Sequence, residues 1–309
     1  MAQTFHTLIA RNQRHSAMLI AMFVLVFVVL GLVIGCAWGG NWASGWTVAA
    51  GAAVLAFVLT LASYYGGSSV LLGVSQAREI SKADDPPLFN VVEELALAGG
   101  VPAPRIYVIE DSAMNAFATG RDPRHAAVAI TTGLRQRLSR DELQGVMAHE
   151  LSHVRHYDIL YATLTAVMVG VVVMLADVFL RSLWFRGGAG RRSRSREGQG
   201  GAQAILLLIG LVLAILSPVL AKLIQLAISR QREYLADAGG VELTRNPSGL
   251  AGALAKLAGD TEVLEVANRA TAPLFIVNPF KSARQRADSL FSTHPDIRDR
   301  IERLLSLQV

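Results

Sequence analysis

Residues 139–158 read SRDELQGVMAHELSHVRHYD, and this stretch decides the fold of the region around it. Ser139 and Glu142 have the S-x-x-E spacing of a capping box, so a helix is predicted to begin just after Ser139. Apolar side chains then recur at helical spacing through about His156: Leu143, Val146, Met147, Leu151 and Val154. The pattern predicts an amphipathic helix that packs against a core by one face.

His149 and His153 enclose an H-E-x-x-H motif in this helix. Residues four apart on a helix lie one above the other, so both imidazoles can point at a single ion. Two neutral imidazoles suit Zn²⁺. Glu150 lies beside the first histidine without being a ligand, where its carboxylate can accept a proton from a zinc-bound water as that water attacks a carbonyl. The motif therefore predicts zinc-dependent hydrolysis with Glu150 as the general base.

A catalytic zinc needs three protein ligands and one open position, and two histidines with one glutamate are an established set. Cys36 is the only cysteine, so a metal site must use histidines and carboxylates. Residues 229–237 read SRQREYLAD, and Glu233 is our predicted third ligand. Asp237, one turn later on the same face, is predicted to accept a hydrogen bond from a ligand imidazole. The alternative is that Glu233 and Asp237 form an exposed pair among arginines.

The composition around this helix is that of a membrane protein. Hydrophobic residues make up 52% of the chain and charged residues only 17%, which is too apolar for an ordinary soluble domain. Residues 18–37 and 46–65 are uncharged runs of about 20 residues, each long enough to cross a hydrocarbon core of about 30 Å. Tryptophans favour the membrane interface, and three occur between or at the ends of these runs: Trp38, Trp42 and Trp46. A transmembrane hairpin is predicted within residues 1–75.

Two further apolar stretches, residues 159–176 and 204–228, follow the catalytic helix. The loop that joins them, residues 181–203, is rich in arginine and glycine, a composition that predicts disorder. If both stretches cross the bilayer, this basic loop lies outside the cell, against the tendency of basic loops to stay cytoplasmic. The alternative is a hairpin that enters the membrane without crossing it.

Residues 76–157 have the composition of a soluble domain and form the predicted catalytic core. Residues 105–109 read RIYVI and predict a strand. Two short extended runs around an Asp-Pro turn, residues 115–120 and 126–131, predict an antiparallel hairpin. The edge of such a hairpin can accept an extended substrate as an added strand. The alternative is a hairpin that only covers the catalytic helix.

Four segments of the chain together resemble the HtpX family of bacterial membrane zinc endopeptidases, which is related to the eukaryotic CAAX prenyl proteases. They are NAFATG at residues 115–120, HELSH at 149–153, SRQREYLADA at 229–238 and FSTHPDIRDRI at 291–301. The resemblance covers nearly the whole chain. It implies one Zn²⁺ on His149, His153 and Glu233, with Glu150 as the base. It also implies a mainly α integral membrane fold, with a zincin-like core of helices and a small β-sheet beside about four membrane-associated helices.

The resemblance further implies a role in quality control under stress, namely cleavage of misfolded or damaged membrane proteins. It implies a bacterial inner-membrane location with the catalytic site facing the cytoplasm. The expected partners are unfolded or membrane protein substrates and the lipid bilayer. The net charge of +5 needs no nucleic-acid partner, because a basic face beside anionic lipid is the simpler explanation.

Three other residues are candidates for the site. His294 and Arg300 lie in the segment that is similar to the family's H-P-x-x-x-x-R-I pattern, and both are predicted to point into the cleft and stabilise an oxyanion or a nearby carboxylate. The alternative is that His294 caps a surface helix before Pro295 and Arg300 is solvated. Asn115 is predicted to bind the substrate backbone through its amide, unless that amide only stabilises a turn.

The predicted organisation has four consecutive parts: residues 1–75, 76–157, 158–228 and 229–309, the last with the helix of the third ligand and a C-terminal helical region. The leading function is a membrane zinc endopeptidase with little sequence specificity. A CAAX-type prenyl-protein protease is one alternative. A non-catalytic scaffold that binds zinc only for structure is another, and an intact Glu150 with an open fourth position argues against it, since structural zinc sites are usually closed.

Overall fold

The computed structural model describes residues 5–189, 230–267, 271–279 and 295–307. The chain divides into two compact units. One comprises Met1–Ser16, Ser63–Ala166 and Ala227–Val309, and the other comprises Ala17–Ala62 and Val167–Leu226. The units alternate along the sequence, and the predicted organisation into four consecutive parts stays a prediction.

Two long N-terminal helices are apolar enough to cross a bilayer: α1 (Phe5–Gly39) and α2 (Trp42–Val74). Their candidate spans have mean hydropathies of 3.2 and 1.9, and we treat these two helices as membrane-spanning. Gly31 lets α1 and α2 approach closely, since a Cβ at this position would lie 2.8 Å from the Cβ of Ala52. The two predicted N-terminal membrane segments are therefore confirmed.

The third apolar stretch lies in α6 (Asp158–Ala189), which follows the catalytic helix α5 (Arg140–Arg155). Tyr157 separates the two helices with a left-handed φ of +61°, and their axes differ by 85°, so together they form at most one bent membrane segment among the described residues. Residues 181–189 are helical, although they were predicted as the start of the disordered loop, because the apolar LWF at 183–185 continues the helix. Residues 190–203 of that loop and the fourth stretch, 204–228, lie outside the described residues.

A four-stranded mixed sheet has the order β1-β2-β4-β3. Its strands are β1 (Arg78–Glu79), β2 (Arg105–Ile109), β3 (Ala116–Gly120) and β4 (Ala126–Thr131). Strands β2 and β4 are parallel, whereas β3 and β4 are antiparallel with Ala118 opposite Val128. The predicted hairpin is confirmed, and it makes β3 an edge strand of the described sheet.

Helices cover this sheet and enclose the core. They are α3 (Pro86–Gly99), α4 (Thr132–Arg137), α5, α7 (Arg230–Thr244), α8 (Pro247–Gly259) and α9 (Ile297–Ser306). The capping box of α5 is formed as predicted, with the Ser139 hydroxyl accepting from Glu142 N and the Glu142 carboxylate accepting from Ser139 N. The predicted apolar face of α5 is buried throughout, in one cluster with side chains of α3, α8 and the sheet. The core therefore fixes the rotation of α5 and, with it, the direction of both histidines.

Candidate active site

The H-E-x-x-H motif lies on the inner side of α5. His149 and Glu150 are only 1% and 2% exposed. The Nε2 atoms of His149 and His153 lie 3.2 Å apart, with the rings nearly perpendicular. One turn of helix thus brings both imidazoles to one point, as the i, i+4 spacing predicts.

Helix α7 reaches this point because two glycines face α5. A Cβ on Gly239 would collide with the Ser152 hydroxyl oxygen, and one on Gly240 would approach His149 N to 3.1 Å. Since neither residue has a side chain, the two helix backbones lie close together. The close packing carries Glu233 and Asp237, on the same helix, to the histidines.

Glu233 completes a group of three metal-ligating side chains. Its Oε2 lies 3.7 Å from His149 Nε2, and its Oε1 lies 3.8 Å from His153 Nε2. The ligand atoms of a tetrahedral zinc with bonds of about 2.1 Å are roughly 3.4 Å apart. The three side chains therefore have the chemistry and the spacing to hold a zinc ion.

Both histidines are oriented by buried carboxylates on their other nitrogens. His149 Nδ1 lies 2.9 Å from Asp237 Oδ1, and His153 Nδ1 lies 3.2 Å from Asp158 Oδ2. A carboxylate that accepts from Nδ1–H leaves the lone pair on Nε2, which is the atom that faces Glu233. This arrangement is the usual one around a metal-binding histidine and is independent of the sequence motif.

Arg300 lies beneath Asp237 and is fully buried, so the alternative of a solvated arginine is wrong. Its Nε and Nη2 donate to the two oxygens of Asp237, and its Nη1 donates to Ile276 O at 3.0 Å. Nη1 is also 3.7 Å from Glu233 Oε2. Arg300 therefore contacts a nearby carboxylate, which was one of its two predicted roles.

The charges around the site shift the pKa values of its members. Burial raises the pKa of Glu150 to about 7, although the backbone N–H of Ala118 donates to its carboxylate. Burial disfavours the charged form of His153, but Asp158 and Glu233 outweigh it and raise the pKa of His153 to about 9. Burial opposes ionisation of Asp237, yet Arg300 holds the pKa of Asp237 below its usual value. Glu150 can thus gain and lose a proton near neutral pH.

A small cavity lies beside these groups. Its volume is about 40 Å³, and its walls include Glu150, His153, Glu233 and Ala118 of the edge strand. A cavity needs roughly 10–15 Å³ to hold a water, so the space admits water next to the base and two of the candidate metal ligands.

The roles of the remaining two predicted residues, Asn115 and His294, stay predictions. Asn115 is buried, where its Nδ2 donates to Val277 O at 3.1 Å and its Oδ1 accepts from Ala116 N at 3.1 Å. Its amide therefore bonds within the protein, and substrate binding by Asn115 stays a prediction. His294 lies outside the described residues, so its catalytic role also stays a prediction.

Two residues near the site had no signal in the sequence. Asn12 of α1 is buried and donates through Nδ2 to His156 O at 3.0 Å and to Asp158 Oδ1. Arg232 is 8% exposed, lines the small cavity and lies 4.6 Å above the ring of Tyr161. Asn12 belongs to no motif, and Arg232 lies in the SRQREYLADA segment without a predicted role, so only the folded chain reveals that both adjoin the site.

The model of peptidase family M48 matches residues 82–308 of this chain. The chain belongs to this family. A protease HtpX homolog of Thermoanaerobacter pseudethanolicus is 52% identical over 220 residues, which cover 71% of each chain. A protease HtpX homolog of Lactiplantibacillus plantarum is 43% identical over 301 residues, which cover 97% of this chain and 98% of the relative.

A solved structure gives a weaker match. The crystal structure of S. mikatae Ste24p has 20% sequence identity and a TM-score of 0.48, and the match covers 81% of this chain and 57% of that chain. Family membership and the two HtpX homologs confirm the resemblance inferred from the four sequence segments. They also confirm that this M48 chain, with its two apolar N-terminal helices, is a membrane-bound metalloprotease.

Proposed function

We propose that His149, His153 and Glu233 hold one Zn²⁺ and that Glu150 is the general base of a membrane-bound endopeptidase. One observation carries the proposal: two Nε2 atoms and a carboxylate converge, while each Nδ1 is held by a buried carboxylate. When bound, zinc would supply Lewis acidity to a water and to the substrate carbonyl. The proton transfers and the orientation of the ligands depend on side chains of the protein.

In this proposal Glu150 accepts the proton of the attacking water and delivers it to the leaving amine. A pKa of about 7 suits both transfers at neutral pH, because the carboxylate is a base before attack and an acid afterwards. Asp237 and Asp158 keep His149 and His153 in the tautomer that binds metal. Arg300 keeps Asp237 ionised and in place.

The substrate is proposed to lie as an extended strand along β3. Support comes from the edge position of β3 and from Ala118, which lines the cavity and donates to Glu150. Ile276 N already donates to Ala116 O at 3.0 Å, and the N–H groups of Ala118 and Gly120 donate to Glu150 and to Thr163 Oγ1, so the substrate would pair with the carbonyl oxygens of the edge beyond Ala116. Recognition through backbone bonds needs little side-chain specificity, which suits misfolded or damaged membrane proteins as substrates.

The proposed location is the bacterial inner membrane, with the catalytic site on the cytoplasmic side. The bacterial HtpX homologs and the basic composition support this orientation. The test is a cysteine at the exposed Ser248 in a Cys36→Ala background, which leaves a single thiol. An impermeant thiol reagent should label it in lysed cells and not in intact spheroplasts. Labelling in intact spheroplasts would place the site on the outer side.

The mechanism is tested with the full chain in detergent, supplied with zinc and an unfolded protein substrate. Glu150→Gln should reduce cleavage roughly 100-fold or more, because the general base is lost. Glu233→Gln should lower the zinc content per chain, measured by atomic emission. The matched control is Glu93→Gln, which removes an exposed carboxylate from α3 and should leave both readouts unchanged. Equal cleavage by wild type and Glu150→Gln would refute the mechanism.

A further inference from the structure

A second cavity, of about 180 Å³, lies beside residues 64–69 of α2. The residues that matter for its chemistry are aromatic, hydroxyl-bearing and basic: Tyr64, Tyr65, Ser68, Arg105, Arg121 and Arg124. Among the described residues it shares no wall with the cavity beside Glu150. It is therefore distinct from the cavity of the proposed catalytic site.

The cavity has an excess of positive charge. The guanidinium of Arg121 lies 5.3 Å above the ring of Tyr65, which holds it in place, while its Nε is 3.5 Å from Asp122. Asp122 is shared with His125, whose Nδ1 lies 2.8 Å away. Arg124 is exposed and has no acidic group within 4.0 Å in the described part of the chain. Among the described residues, Arg121 thus pairs with a carboxylate that His125 also contacts, and Arg124 pairs with none.

Two more groups in the wall lack strong partners. Arg105 is 3.7 Å from Glu79, a loose ion pair with both side chains 52% exposed. The hydroxyl oxygen of Ser68 is buried and has no hydrogen-bond partner among the described residues. A buried hydroxyl without a partner is costly, so a ligand that accepts hydrogen bonds would stabilise this wall. Phosphate oxygens are acceptors, and guanidinium groups match their geometry.

The position of the cavity along α2 indicates which kind of molecule supplies the phosphate. Residues 46–65 of α2 are followed by the less apolar Gly66, Gly67, Ser68 and Ser69, and a helix of about 20 residues spans about 30 Å. Tyrosines at the end of such a run lie at the level of the lipid headgroups. Tyr64 and Tyr65 belong both to this end and to the cavity wall. We therefore expect the basic groups at the level of the phosphates of one leaflet.

We propose that this cavity is a binding site for the phosphate of an anionic phospholipid headgroup. Arg121 and Arg124 contact the phosphate oxygens, and Ser68 donates to one of them. The ring of Tyr65 contacts the guanidinium of Arg121 and fixes its position. The site would hold one lipid per chain.

The test follows lipid retention and is independent of proteolysis. The full chain is purified in detergent with short-chain phosphatidylglycerol or phosphatidylcholine, and bound lipid is counted by native mass spectrometry. Wild type should retain one phosphatidylglycerol and little phosphatidylcholine. The double variant Arg121→Gln/Arg124→Gln should bind phosphatidylglycerol roughly tenfold more weakly. Arg121→Lys/Arg124→Lys should bind with intermediate strength, because lysine keeps the charge and loses the paired donors.

The matched control is Arg78→Gln/Arg140→Gln, which removes the same charge from two exposed surface pairs. It should retain the lipid as wild type does. Equal loss in both double variants would overturn the proposal, since binding would then reflect overall charge. Displacement of the lipid by millimolar inorganic phosphate would overturn the assignment to a lipid. Unchanged unfolding temperatures verify that the glutamine variants fold.

Discussion

Arg300 holds both carboxylate oxygens of Asp237, at 2.8 Å from Nε and 2.6 Å from Nη2, and the two side chains are 0% and 6% exposed. Asp237 in turn contacts His149 Nδ1 at 2.9 Å. The orientation of a candidate metal ligand therefore rests on a buried ion pair between α7 and α9.

Removal of the arginine should weaken both metal binding and stability. Arg300→Met leaves the charge of Asp237 buried without its partner, which costs about 3–5 kcal/mol. Loss of the group that orients His149 through Asp237 should weaken zinc binding roughly 10-fold to 100-fold, measured by competition with a chelator. The double variant Arg300→Met/Asp237→Asn should be less destabilised than the sum of the two single variants. Strictly additive losses would show that the pair is not coupled.

Asn12 should influence zinc through Asp158. Asn12→Ala removes the donor to Asp158 Oδ1 and leaves His153 less firmly oriented, so zinc affinity should fall by up to about tenfold. Ser16→Ala is the matched control, because Ser16 bonds only the backbone oxygen of Asn12 among the contacts described. Chelator competition compares the two variants. An unchanged zinc affinity in Asn12→Ala would show that Asn12 of α1 does not influence the metal site through Asp158.

The glycine contact between α7 and α5 should be sensitive to a single methyl group. Gly239→Ala places a Cβ on the Ser152 hydroxyl and should push α7 away from α5, with loss of zinc and a lower unfolding temperature. Ser152→Ala removes the colliding oxygen, so the double variant should recover part of both. Gly259→Ala, at the end of α8 where a Cβ meets nothing within 4 Å, should leave zinc content unchanged. Failure of Ser152→Ala to rescue would mean that the collision is not the cause.

Asp85 should give an acid-dependent contribution to stability. Its carboxylate accepts from Arg135 Nε and Nη2 at 2.6 and 2.8 Å and from Leu88 N at 3.1 Å. Burial opposes ionisation, but these donors outweigh it and hold the pKa of Asp85 below its ordinary value of 3.8. Because the folded-state pKa is depressed, the stabilisation is present above pH 3.8 and is lost as the pH falls through the folded pKa.

Asp85→Asn tests this contribution, because an asparagine can still cap α3 but cannot pair with Arg135 as an anion. At pH 7 the variant should be less stable by roughly 1 kcal/mol, as expected of a partly buried ion pair. The difference from wild type should shrink as the pH falls below about 4. Scanning fluorimetry in detergent across this range measures it. A stability difference that does not change with pH would show that the cap of α3, and not the ion pair with Arg135, causes the loss of stability.

The local features of this protein follow from its sequence alone. The capping box at Ser139, the apolar face of α5 and the meeting of His149 with His153 depend on residues within a few positions of one another, and helical geometry converts that spacing into contact. The two N-terminal membrane helices follow from uninterrupted apolar runs. The bilayer core offers no water to the backbone N–H and C=O groups, and a helix pairs these groups with one another.

Contacts between distant segments were decided only by the tertiary structure. Glu233 and Asp237 could be predicted as candidates, but their approach to α5 depends on packing at Gly239 and Gly240. Arg300 is 63 positions from Asp237, and Asn12 is 146 positions from Asp158. No periodicity links such pairs, since they meet only where separate helices pack together. The sequence thus determines which groups can do the chemistry, and the packing of α1, α7 and α9 determines which groups hold them in place.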